Sequence, residues 1–225
     1  MENDHPETIN NVFSFLEKEE VQEYFADLNI ALLRGRHIQK NDYHLFHLLN
    51  AYQKEFANYY KLLYNLLLEK DRMDNEIYYY LDFPIDGRGK LADYSRHKEL
   101  TEKQIVIGLM LLNMYYDRFF ENPKEINWID IKKEITEGES SSLYKKLLFN
   151  HIRDDYSDQE WSRVTKLLRQ VLKKFETLGW IQELKLTEVD ELRFTLRESI
   201  HRLAKLYKYE IENFDEFIKE YNSKK

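Results

Sequence analysis

The sequence predicts an α+β fold, mainly α, in which two modules stand in tandem and each places helices before a β-hairpin. Three observations carry this. Over most of the 225 residues, apolar side chains recur at three- and four-residue spacing, as helices with one buried face require. The period drops to two around Ile77 to Phe83 and again between Leu184 and Leu196, which is the spacing of half-buried strands. Between the two runs lies PIDGRGKLADYSRHK, residues 84–98, where Pro84, Gly87 and Gly89 stand among charges and the chain reads as a linker. The expected layout is an N-terminal segment 1–20, a first domain 21–83, the linker 84–98, a second domain 99–208 and a helical tail 209–225.

In the first module, Val21, Tyr24, Phe25, Leu28 and Leu32 predict an amphipathic helix from Glu17 to about Leu33, with Gly35 as its stop. Leu45, Leu48, Leu49, Tyr52 and Phe56 predict one further helix, from Tyr43 to about Tyr59. Ile77, Tyr79, Leu81 and Phe83 then alternate with Glu76, Tyr78, Tyr80 and Asp82 as a strand. The polar stretch Lys70 to Asn75 is its expected turn, and Pro84 closes the hairpin.

The second module opens on Thr101 and Gln104, a capping box in which side chain and backbone satisfy each other at a helix start. The helix predicted from Glu102 to Phe120 is apolar on nearly every side, from Ile105 to Tyr115. Such a helix is buried on several sides, which places it between the two halves or in a dimer interface. A short helix is expected from Trp128 to about Ile135, a loop at EGESSS, and another helix from Tyr144 to Ile152. Ser157 with Glu160 forms a second capping box, and Gly179 suits the left-handed cap that ends the helix it opens. Leu184, Leu186, Leu192, Phe194 and Leu196 then alternate with charged residues around a turn from Thr187 to Asp190. Helical stretches from Glu198 to about Tyr209 and from Phe214 to Tyr221 finish the chain. Helices followed by a hairpin are the order of a winged-helix unit, so tandem winged-helix domains with β-hairpin wings are the expectation, although no sequence repeat is visible.

Composition bounds the function. With 34 Lys plus Arg against 41 Asp plus Glu, the net charge is −7 and the isoelectric point about 5.6, which excludes indiscriminate coating of nucleic acid. The absence of cysteine rules out disulfides, thiol nucleophiles and Cys-based zinc sites and makes cytoplasm the default compartment. MENDHPETINN is acidic and polar, unlike a signal peptide. The longest apolar run, Ile105 to Leu112, is far short of the ~20 residues that span a bilayer.

Against this acidic background, RVTKLLRQVLKKFETLGWIQEL, residues 163–184, gathers Arg163, Lys166, Arg169, Lys173 and Lys174 on one helix. Val164, Leu167, Leu168, Val171, Leu172, Phe175 and Leu178 form its core stripe, so the cations project from the opposite side. In a winged helix the element before the hairpin is the recognition helix, whose outer face can enter a groove of DNA. Lys185 and Arg193 would lie on the outward side of the wing and touch phosphate. With Asn and Gln scarce, such a face anchors DNA more than it reads bases. The alternative is a solvated helix face, and the acidic wing tip at Glu188 and Asp190 would repel DNA. His44 and His47, three residues apart, have the spacing of two metal ligands, but only Asp42 offers a nearby third, and helix packing or exposure is the preferred reading. Gly87-Arg88-Gly89-Lys90 lacks the spacing of a phosphate loop. No nucleophile elbow or paired carboxylate motif is present, so neither enzyme nor cofactor is expected.

The stretch Ala31-Leu32-Leu33-Arg34-Gly35-Arg36-His37-Ile38 resembles the signature near the start of MukE-type proteins. These are accessory subunits of bacterial condensins whose relatives serve the MksE and Wadjet systems. LLNAYQKEFANYYKLLYNLLLEKD, LTEKQIVIGLMLLNMYY, LRQVLKKFETLGWIQEL and FTLRESIHRLA follow in that family's order, so the resemblance covers residues from about 25 to 207. It implies a tandem winged-helix fold, a homodimer, and binding to a MukF-like kleisin that bridges a MukB-like SMC ATPase. It also implies contact with DNA and a place at the nucleoid. Arg34, Arg36 and His37 sit where a helix ends, where cations are favoured by the dipole; contact with a partner or phosphate is the rival role. Outside this family, a free-standing dimeric winged-helix transcription regulator is the alternative, and a metal-dependent hydrolase built on His44 and His47 is a third.

Overall fold

The spacing of apolar residues becomes burial in the computed structural model, which describes residues 13–84, 99–185 and 192–208. The expected linker beyond Pro84, the turn from Thr187 to Asp190 and the helix from Phe214 to Tyr221 lie outside the described residues. The fold is α+β and mainly helical, with two small antiparallel sheets. It divides into two units, Met1–Glu99 and Leu100–Lys225.

The first unit opens with a 3₁₀ turn, Ser14–Glu17, and helix α1, Glu19–Leu33. Gly35 takes φ 82°, and the Arg36 amide donates to the Ala31 carbonyl at 3.0 Å, so the left-handed stop closes α1 as its sequence predicts. Strand β1, Ile38–Gln39, follows. The single helix expected from Tyr43 is instead two, α2 (Tyr43–Ala51) and α3 (Gln53–Tyr64). Tyr52 leaves the helical region at φ −120°, ψ 35° while its hydroxyl donates to the Glu20 carboxylate on α1. The break lets Leu48 and Leu49 on one side of it, and Phe56, Tyr59 and Tyr60 on the other, all enter one core. Strands β2 (Leu67–Met73) and β3 (Glu76–Asp82) form the hairpin. Its turn is shorter than the polar stretch suggests. Lys70 to Met73 pair with Tyr79 to Glu76, and only Asp74 and Asn75 turn, at φ 50° and 69°. Two left-handed residues in succession match the twist of a two-residue hairpin. β1 lies against β3, Ile38 facing Tyr79, which gives the sheet order β1-β3-β2.

The second unit runs α4 (Glu102–Asp117), β4 (Lys124–Asn127), α5 (Trp128–Glu137), α6 (Ser141–Phe149), α7 (Asp158–Leu178), β5 (Ile181–Lys185) and β6 (Arg193–Leu196). A 3₁₀ turn, Glu198–His201, then leads into the short helix α8, Arg202–Leu206. α4 carries the Thr101–Gln104 capping box and is buried continuously from Val106 to Leu112. Its burial is met within its own unit, where it packs on α7, on α8 and on the turn before α8. The short helix α8 thus covers a side of α4 that the sequence leaves without a partner. α6 starts at Ser141, inside the stretch expected to be loop. β4 pairs with β6, Ile126 facing Phe194, in the order β4-β6-β5. Both units thus run helix, short strand, further helices, hairpin, and in both sheets the short strand flanks the hairpin's second strand.

Candidate nucleic-acid interface

The basic helix α7 forms where the local signals put it. The Ser157 hydroxyl accepts from the Glu160 amide at 3.4 Å and the Glu160 carboxylate accepts from the Ser157 amide at 2.9 Å, which satisfies donors otherwise orphaned at a helix start. Donation to the Glu160 carboxylate from the Ser157 amide and from the Ser157 hydroxyl, together with the nearby Arg153 guanidinium, holds that carboxyl below its ordinary range. At the other end Gly179 takes φ 76° and the Trp180 amide reaches back to the Phe175 carbonyl at 3.0 Å.

Along one side of α7, Val164, Thr165, Leu168, Val171, Leu172, Phe175 and Leu178 are buried; Leu167, expected with them, is half-buried. On the opposite side Arg163, Lys166 and Lys173 are exposed, and Arg169 and Lys174 are half-buried at the edges. Among the described residues no ion pair ties Arg163, Lys166, Arg169 or Lys173 to a carboxylate. Two acids on the same helix are engaged elsewhere. Glu160 pairs with Arg153, and the Glu176 carboxylate accepts from the Leu184 amide of β5 at 3.1 Å. Four cations therefore share a helix face that no carboxylate among the described residues neutralises, and in water such a face attracts polyanions. Arg169 differs from its neighbours in that its Nε is enclosed with no hydrogen-bond partner.

The two cations of the second hairpin divide. Lys185 is exposed. Arg193, its partner across the β5–β6 ladder, is bound by the Glu125 carboxylate of β4. Glu125 was invisible as a participant, because its strand has no signal of its own and acquires meaning only beside β6. At the β5 edge Glu183 adopts φ 56° and shifts the register between Gln182 and Lys185, an irregularity that bends a strand. Two further cations are occupied: Lys132 lies 5.1 Å over the Trp161 ring, and Arg153 lies over Tyr156 in addition to its pairing with Glu160.

Far along the sequence, Arg34, Arg36 and His37 follow α1 but share no role. Arg34 is exposed at the helix end. The Arg36 guanidinium donates to Asp42 at 2.8 Å, while the other Asp42 oxygen accepts from the Gln39 amide at 3.1 Å; together they brace the connection that carries β1. His37 is buried, its ring 5.1 Å from Tyr80. His44 stacks on Tyr24 with centroids 4.7 Å apart, and His47 packs on Tyr43 at 4.3 Å. Asp42, the expected third member of a metal site, is taken by Arg36, and the described residues hold no group of three potential ligands. None of the described helices is long and apolar enough to cross a membrane.

No curated protein matches the chain. Residues 23–208 match the family model of the condensin complex protein MksE.

Proposed function

Since this chain belongs to the MksE family of condensin complex proteins, we propose that it is a non-enzymatic accessory subunit of an SMC–kleisin complex that holds DNA through α7. Both units are winged helices in this reading, spanning residues 21–83 and 99–208, with α3 and α7 in the recognition position. Support comes from the shared element order and from the short strand beside each hairpin. The subunit is a cytoplasmic, nucleoid-associated homodimer. It grips an extended segment of a MukF-like kleisin, which links it to a MukB-like ATPase, and energy for movement comes from that ATPase. The complex acts in chromosome condensation and segregation or in plasmid defence.

The single observation that carries DNA contact is the face formed by Arg163, Lys166, Arg169 and Lys173, whose charge no carboxylate among the described residues offsets. Each phosphate neutralised releases counterions, so binding weakens steeply with salt. Lys174 and Lys185 add weaker phosphate contacts at the margins, and Arg34 of the first unit is a separate candidate for phosphate contact. Arg193, Arg36 and His37 act through positioning, since the first two hold carboxylates and the third is buried. Lys166→Glu, Arg169→Glu and Lys173→Glu combined should lower the DNA affinity of the assembled complex by about tenfold or more. They should also flatten the plot of log affinity against log salt by roughly 3, with the melting temperature held. An unchanged slope would remove this face from the interface. The free subunit should bind duplex weakly and without sequence preference; affinity near ~10⁻⁸ M for one sequence at physiological salt would mark a transcription regulator instead.

A further inference from the structure

Between α4 and β4 the chain makes a turn that displays two aromatic rings to solvent. Phe120 is 97% exposed and Phe119 56%, with their rings edge to face at 5.2 Å. A side chain in that setting adds almost nothing to folding. The backbone beneath it is nonetheless held from several directions. The Phe119 amide donates to the Tyr116 carbonyl at 3.1 Å, and the Glu121 amide to the Arg118 carbonyl at 3.0 Å. Arg118, whose side chain is only 18% exposed, reaches Glu121 at 3.5 Å and Asp130 of α5 at 3.2 Å. Lys124 occupies an inward position of β4, 9% exposed, where its ammonium donates to the Glu121 carbonyl at 3.1 Å and the Phe119 carbonyl at 3.5 Å and lies 4.8 Å over the Tyr115 ring. Withdrawing a lysine and an arginine from water carries a desolvation cost, and what these two cations hold is the shape of a turn whose rings touch little else.

We propose that Phe120, supported by Phe119, is a preformed anchor that inserts into an apolar pocket of a partner protein whose rim carries Lys or Arg. Rigid aromatic side chains on ordered backbone lose little entropy on binding and dominate the energetics of interfaces. Charge selects the occupant. Residues 117–125 hold three carboxylates, Asp117, Glu121 and Glu125, against two cations, Arg118 and Lys124. The carboxylates are on the surface while both cations turn inward; from neighbouring elements Arg193 offsets Glu125 and Asp130 joins Arg118, which leaves four carboxylates against three cations. A negative rim repels phosphates, so a protein surface of opposite charge is favoured over DNA or an anionic bilayer.

The proposal rests on the subunit reading above, and the test separates the two. Wild type and Phe120→Ser are each titrated into the cognate kleisin–SMC pair, with Glu121→Lys as a charge reversal. Phe120→Ser should bind about 30-fold more weakly and Glu121→Lys several-fold more weakly, with the melting temperature of Phe120→Ser unchanged. Unaltered affinity of Phe120→Ser beside normal wild-type binding would overturn the anchor and leave the subunit reading standing. Failure of the wild type to bind the pair would overturn both. Duplex DNA binding by Phe120→Ser should equal that of the wild type; a drop there would identify the ring as a wedge between bases and would also overturn the proposal.

Discussion

At the scale of single residues, Gly108 sets how closely α4 can approach its neighbours. A Cβ at this position would stand 2.7 Å from a Leu203 methyl on α8 and 3.3 Å from the tip of Phe175 on α7. Gly108→Ala gains about 1 kcal/mol of helix propensity and loses a similar amount as the Leu203 methyl shifts, so its net change should stay within about 1 kcal/mol. Gly108→Val has no such room and should cost about 1–3 kcal/mol in urea unfolding. Glu134 on α5 offers a second test. Burial, and then Asp117 and Glu139, push its carboxyl up, while Arg118 opposes them. The folded protein therefore holds this proton more tightly than the unfolded chain. The stabilisation is complete below the unfolded value and is lost as pH rises through the folded one. Glu134→Gln should flatten that decline across the mildly acid range. Neither feature was legible in the sequence, since a glycine or glutamate in a helical pattern carries no sign of what packs against it. Arg36 and His37 show the same limit: the motif containing them marked the end of α1 and the family, but not that one cation braces a turn and that the imidazole is inside.

At the scale of elements, whatever is encoded within about four residues could be read directly. Both expected capping boxes form, and Gly35 and Gly179 close their helices in the left-handed region. Ser157→Ala should remove the α7 cap and lower stability by about 1 kcal/mol, measurable as a fall in melting temperature. The β2–β3 turn is equally local in origin but less distinct among the polar residues 70–75. Because Asp74 and Asn75 both hold positive φ, Asn75→Val should destabilise the hairpin by about 1–2 kcal/mol. Elements whose reason is not local were missed. β1 has two residues and β4 four, too few for alternation to register, and each exists because the outer edge of a hairpin strand accepts it. The break at Tyr52 has neither proline nor glycine to announce it; Leu45 to Phe56 fit one continuous stripe as well as two helices.

For the whole molecule, the separate chemistry of α7 and the Phe119–Phe120 turn predicts a double dissociation. Reversing the α7 cations should weaken DNA binding and spare assembly with the protein partners, Phe120→Ser should do the opposite, and the combined variant should show both losses undiminished. Periodicity, caps and the shift to a two-residue repeat were sufficient, read from the sequence, for a mainly helical α+β chain with two hairpins, for the family, and for a basic stripe opposite the core of α7. These depend on neighbours along one chain segment, where geometry follows from helix or strand repeat alone. Which cations stay available was decided only by the tertiary structure. Glu125 reaches Arg193 from another strand, Asp42 takes Arg36 across a turn, and Lys124 is drawn inward beneath two exposed rings. The physical reason is range: a charge is neutralised by whatever acid folding brings within a few ångströms, and no spacing within a helix records that.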